Sequence, residues 1–117
     1  MATTLALIHS PLTSAAAWGV LPDVLRGLGH PVAVPEVVDD DEPPYASHFI
    51  ARASQQLQLD APGESLLLVG HSGAGPLLPQ IAFARQSSGT PVTGYVFLDA
   101  MLPRTMRAAT RMDLLAI

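Results

Sequence analysis

The residues best suited to chemistry lie in one run, Leu66-Leu67-Leu68-Val69-Gly70-His71-Ser72-Gly73-Ala74-Gly75. Four apolar residues, of the kind buried on both faces of a sheet, lead into a serine set among small residues. A helical pattern follows over residues 73–85. A serine at so sharp a strand-to-helix corner is forced into an unfavourable backbone conformation, and only small neighbours leave the chain room to turn. Gly70 and Ala74 give that room. Oγ then projects above the sheet, and the Gly73 N–H faces an oxygen that turns negative during acyl transfer, with the positive end of the helix behind it. Ser72 is the candidate nucleophile and Gly73 the candidate oxyanion donor. The plainer alternative is a serine that merely caps a helix.

A serine hydroxyl is a poor nucleophile without a base. The histidines are His9, His30, His48 and His71, and none follows Ser72. The corner should direct His71 away from the serine. His9 and His30 read as structural or loop residues, and His48 as a solvated residue near a helix start. No catalytic histidine is therefore expected in this chain. Asp99 ends an apolar run and is a candidate acid for orienting such a histidine, although its simpler role is to end the strand. The acidic run Asp39-Asp40-Asp41-Glu42 lacks metal-ligand spacing and reads as solvated. No metal and no cofactor are expected.

Strand and helix patterns alternate around these residues. Leu5-Ala6-Leu7-Ile8-His9 reads as a buried strand and Ser10-Pro11-Leu12-Thr13-Ser14 as a loop. Residues 18–28 have helical spacing, with Trp18, Leu21, Leu25 and Leu28 on one face and Pro22 in the first turn. Pro31-Val32-Ala33-Val34-Pro35 is a second strand, its prolines suiting a sheet edge. A loop over residues 37–44 precedes a helix over residues 45–59, with Phe49, Ala53 and Leu57 in one row. Leu66–Val69 is the third strand, and Tyr95-Val96-Phe97-Leu98 the fourth, at an exposed edge. Residues 104–117 read as helical. This alternation predicts an α/β fold: a parallel doubly wound sheet of about four strands in spatial order second, first, third, fourth, with helices on both faces.

The 117 residues allow a single domain, and 49% hydrophobic content is enough for a sizeable core. The absence of cysteine excludes disulfides, zinc–cysteine sites and a cysteine nucleophile. A formal charge of −4 with only six Lys and Arg excludes a large basic face for nucleic acid. No signal peptide and no membrane-spanning run is read, so the expected location is cytoplasmic. Nothing in the sequence fixes an oligomeric state.

In its order of elements the chain resembles the α/β-hydrolase superfamily. Gly70-His71-Ser72-Gly73-Ala74 matches that family's nucleophile elbow, Gly-x-Ser-x-Gly, with alanine in the last place. Leu7-Ile8-His9-Ser10-Pro11 resembles the family's strand and oxyanion loop, Trp18 stands where many members begin a helix, and Val96-Phe97-Leu98-Asp99-Ala100 resembles the strand after the nucleophile helix. The resemblance covers nearly the whole chain, which would start at the third family strand and stop before the acid and histidine segments. It implies a C-terminally incomplete domain over residues 1–117, with residues 103–117 starting a lid. It also implies a serine hydrolase acting on a small ester-like substrate in the complete protein, the isolated chain being inactive. The second oxyanion donor would fall on Pro11, which has no N–H, so Ser10 or Leu12 must replace it.

Two other readings compete. Gly70-x-x-Gly73-x-Gly75 between a strand and a helix, with Asp99 ending the next strand, is also the layout of a dinucleotide-binding βαβ unit, although its glycine order differs from the fingerprint. A non-catalytic or truncated hydrolase is the third reading.

Overall fold

The computed structural model describes residues 3–38, 43–87 and 89–102. The acidic run at 39–42 and the expected helix and lid segment over 103–117 lie outside them.

Alternation along the central strands decides the layering. In β1 (Thr4–Ile8), Ala6 and Ile8 face one side of the sheet and Leu7 the other, and all three are buried. In β3 (Leu66–His71), Leu66 and Leu68 share the first side and Val69 the second. Strands buried on both faces need helices on both. On the first side lie α2 (Tyr45–Asp60), whose row Phe49, Ala53 and Leu57 is buried, and α3 (Leu78–Ser87), which contributes Leu78, Ile81 and Ala82. On the second side, Trp18 together with Leu21 and Leu25 of α1 (Leu21–Gly27) covers Leu7 and Val69. With β2 (Val32–Ala33) and β4 (Val92–Leu98), the strands form one parallel sheet in order β2-β1-β3-β4 among the described residues. This is the order and the doubly wound layering predicted from the sequence.

Several boundaries differ from expectation. Residues 18–28 are not one helix. A 3-10 turn over Ala15–Trp18 ends at Gly19, whose φ of 59° breaks the path, and α1 starts afresh with Pro22 in its first turn. Leu28 is the residue capping α1 and is exposed, not part of the buried face. Two short helices on one side of a sheet can show the same apolar spacing as one continuous helix. The helix after Ser72 is also in two parts, a 3-10 segment over Ser72–Leu77 and then α3. Gly73, Gly75 and Pro76 are poor α-helix formers, and Pro76 cannot donate a hydrogen bond. The second strand is reduced to two residues, while β4 begins at Val92, earlier than the apolar run suggested, because a register shift opposite Leu66/Leu67 absorbs Thr93.

Among the described residues β4 lies at the edge of the sheet. Tyr95, Val96 and Leu98 remain 41%, 39% and 41% exposed, and no charged residue lies within Val92–Leu98. Charges and prolines are the usual protection of such an edge. Among the described residues no helix is long and apolar enough to cross a membrane.

Candidate active site

All strands are parallel, so their carboxyl ends share one edge of the sheet, where ligands of open α/β sheets bind. Register places the candidate residues there. Ile8 pairs with Gly70, and His71 with Leu98. The Ser10–Leu12 loop, Ser72 and the Asp99–Leu102 segment therefore emerge side by side.

Ser72 has a φ of 53° and is exposed, while Gly73, Ala74 and Gly75 behind it are buried. His71 before it is extended, with φ −111° and ψ 136°. The strand thus runs straight to the corner and the whole reversal falls on the serine. The positive φ expected from the small flanking residues is present. Gly73 is the second residue of the helix, so its N–H has no acceptor within it. Gly70 is needed for space: a Cβ there would lie 2.8 Å from Leu78 Cδ1. The tighter position is Gly75, where a Cβ would lie 1.9 Å from the Met101 carbonyl oxygen. Sequence reasoning gave Gly75 no part in the elbow. Its signal was a second small residue beyond the motif.

The same contact bears on the dinucleotide reading, in which glycines let a phosphate approach the backbone. Here the space over Gly75 is filled by the chain's own Met101 backbone, and that over Gly70 by Leu78.

His9 organises the loop that follows β1. It is 1% exposed and stands edge-on to Phe49, ring centroids 5.8 Å apart. Its Nε2 accepts the Val37 N–H at 3.0 Å, which leaves the proton on Nδ1, donated to the Ser10 carbonyl at 2.8 Å. Glu36 Oε2 lies 3.2 Å from the same Nε2. Because that lone pair is taken by Val37, this is a meeting of two acceptors and not an ion pair. Glu36 is held there by the Ala15 N–H at 3.1 Å. Both His9 nitrogens are committed, so His9 is structural, as expected. His9→Leu should cost about 1–3 kcal/mol, since the buried Val37 N–H and Ser10 carbonyl each lose a partner. Urea unfolding followed by Trp18 emission measures it.

The loop is closed by the Thr13 N–H, which donates to the Ser10 carbonyl at 3.0 Å, and by the Leu12 N–H, which donates to Ser10 Oγ at 3.3 Å. Of the two proposed replacements for Pro11, Leu12 therefore has its N–H turned to Ser10 in this conformation. The other histidines are dispersed. His71 lies against Trp18, centroids 5.8 Å apart. His30 precedes β2 and so sits at the opposite edge of the sheet, and His48 occupies the first turn of α2. Asp99 is exposed with a φ of 49°. Among the described residues no group of three or more His, Asp or Glu is placed to hold a metal ion.

No family model matches the sequence, and no curated protein does. Solved structures do. An extracellular α/β-hydrolase from a Paenibacillus species, described as sharing structural and functional homology with tobacco salicylic acid binding protein 2, superposes with a TM-score of 0.72 at 24% identity over 87% of this chain and 42% of its own. A pyrethroid hydrolase from Sphingobium faniae gives 0.62 at 21% identity over 86% and 40%. Polyneuridine aldehyde esterase gives 0.62 at 20% over 88% and 42%. The chain has the α/β-hydrolase fold, and it spans about two-fifths of the length of these structures.

Proposed function

From an α/β-hydrolase fold with a serine at its strand-to-helix corner, we propose that this chain supplies the nucleophile of a serine hydrolase acting on small, uncharged carboxylic esters. The observation that carries the reading is the exposed Ser72 at φ 53°, at the carboxyl edge of the sheet and the head of a helix. Ser72 Oγ attacks the acyl carbon, its proton passes to a base, and the bond to the alcohol oxygen breaks as that oxygen takes up the proton. Water then releases the acyl group from Ser72. The Gly73 N–H receives the oxyanion, and the second donor comes from Ser10 or, once its N–H leaves Ser10 Oγ, from Leu12. One such donor is worth about 10²–10³ in rate. Large apolar side chains stand exposed on the loops at this edge, Leu12, Val38, Met101 and Leu102, which favours an uncharged substrate.

The base must come within roughly 2.6–3.2 Å of Oγ. His9 has both nitrogens committed, His71 lies against Trp18, His30 lies at the far edge and His48 has contacts of its own at the start of α2, so the proposal assigns the base to a histidine outside these 117 residues. The purified chain should therefore hydrolyse p-nitrophenyl acetate no faster than its Ser72→Ala variant. A longer reading frame carrying a later histidine should be labelled by a fluorophosphonate at Ser72 and turn the ester over. Robust turnover by the short chain, abolished by Ser72→Ala, would overturn the assignment of the base. A longer protein that is neither labelled nor active would point to a non-catalytic relative.

A further inference from the structure

Among the described residues only Ser72 and Asp99 are non-glycine residues with positive φ, 53° and 49°. They are not independent. Two residues beyond Asp99, the Met101 N–H donates to the Ser72 carbonyl at 3.2 Å. In the 3-10 segment that carbonyl faces the N–H of Gly75, and the donor that α-helical geometry would add, at residue 76, is missing because residue 76 is proline. The Met101 carbonyl meanwhile rests where a Cβ on residue 75 would be, 1.9 Å from that position. Met101 thus supplies a second donor to the Ser72 carbonyl, Gly75 clears the space above the helix, and the turn at Asp99 delivers that donor. The Asp99 side chain is exposed.

We infer that Asp99 is a positioning residue acting through its backbone: its left-handed turn seats Met101 on the elbow and so holds Ser72 in the conformation that presents Oγ. Aspartate suits the task because Asp, Asn and Gly visit this region at low cost, whereas a side chain branched at Cβ does not. On this account the carboxylate is dispensable, which separates the role from that of an acid orienting a histidine. The inference takes Ser72 to be the working residue of the site. Its test reads the group at position 72 directly and not ester hydrolysis, so the two proposals fail separately.

The chain has no cysteine, so Ser72→Cys places a single thiol at the elbow. Its rate of reaction with an aromatic disulfide reagent, followed against pH, reports both the thiolate's stability at the helix start and its accessibility. In that background Asp99→Asn and Asp99→Gly should leave the profile unchanged. Asp99→Val should alter the rate by about tenfold, the factor that a left-handed residue of that shape costs. Met101→Pro, which deletes the donor, should do the same. If Asp99→Val fails to fold, Asp99→Ala makes the comparison, with a smaller change in the same direction. A profile changed by Asp99→Asn would show that the carboxylate acts, and a profile indifferent to both Val and Ala would show that the turn does not reach Ser72. Either result overturns the inference.

Discussion

Arg85→Met should cost about 3 kcal/mol, because four acceptors of buried or half-buried hydrogen bonds each lose a donor, although the Leu57 carbonyl keeps the Ala61 N–H. Arg85 is 2% exposed at the end of α3 and reaches across to the end of α2. Nη1 donates to the Leu57 carbonyl at 3.3 Å and to Gln58 Oε1 at 3.0 Å. Nη2 donates to the Ala61 carbonyl and, at 3.0 Å, to the Glu64 carbonyl. These groups lie in the last turn of α2 and just beyond it, and the cation sits at the negative end of the α2 dipole. Burial pushes the Arg85 pKa below its ordinary value, the charge of Glu64 opposing the shift. A lowered pKa on a base means that the fold disfavours the charged form, a cost present at every pH where arginine is ionised. The carbonyls offset that cost. Methionine keeps much of the volume and none of the donors. Arg85→Lys restores a charge without the planar fork and should recover only part of the loss. For a domain whose total stability is about 5–15 kcal/mol, the methionine variant should unfold at much lower urea, read by the emission of Trp18.

Gly75→Ala should destabilise by about 3 kcal/mol, at the upper end of what an added methyl group costs in a packed interior. The methyl group would meet the Met101 carbonyl oxygen at 1.9 Å and its carbon at 3.0 Å. Both are main-chain atoms, so the 99–101 turn must lift off the elbow and give up the Met101–Ser72 hydrogen bond. Gly70→Ala is the control. Its methyl group meets Leu78 Cδ1 at 2.8 Å, the far end of a side chain that can change rotamer, and about 1 kcal/mol is expected. Parallel urea titrations measure both, and equal losses would show that the turn yields as easily as a leucine side chain.

The sequence made the sheet and the elbow legible for one reason. Leu66–Val69 is apolar without interruption, so it must be central, and a serine framed by Gly70 and Ala74 at its end fits little besides a corner. What stayed hidden depends on contacts distant in sequence. Gly75 looks like any glycine at a helix start until Met101 is seen above it. Asp99 looks like a strand terminator or an acid, since φ is not written in a side chain. Arg85 sits where an ordinary basic residue would favour a helix end, and only the return of α2 beside α3 makes it a buried clamp. Trp18, Leu21, Leu25 and Leu28 suggested one helix because periodicity does not register a break at Gly19 that leaves the apolar face almost in place.

A parallel sheet also constrains the order in which the site can assemble. Among the described residues no two strands are joined by a hairpin, so each pairing must first close a long loop of chain, and the entropy lost rises with the length closed. Ser72 and the turn that holds it belong to a single crossover, in which Leu66 comes to lie beside Val92. The Ser10–Leu12 loop reaches the same edge only when Thr4 has found Leu66, across a far longer stretch. Loop-closure entropy therefore favours completing the serine's side of the site first, with the donors that would face its oxyanion arriving in a later and costlier closure.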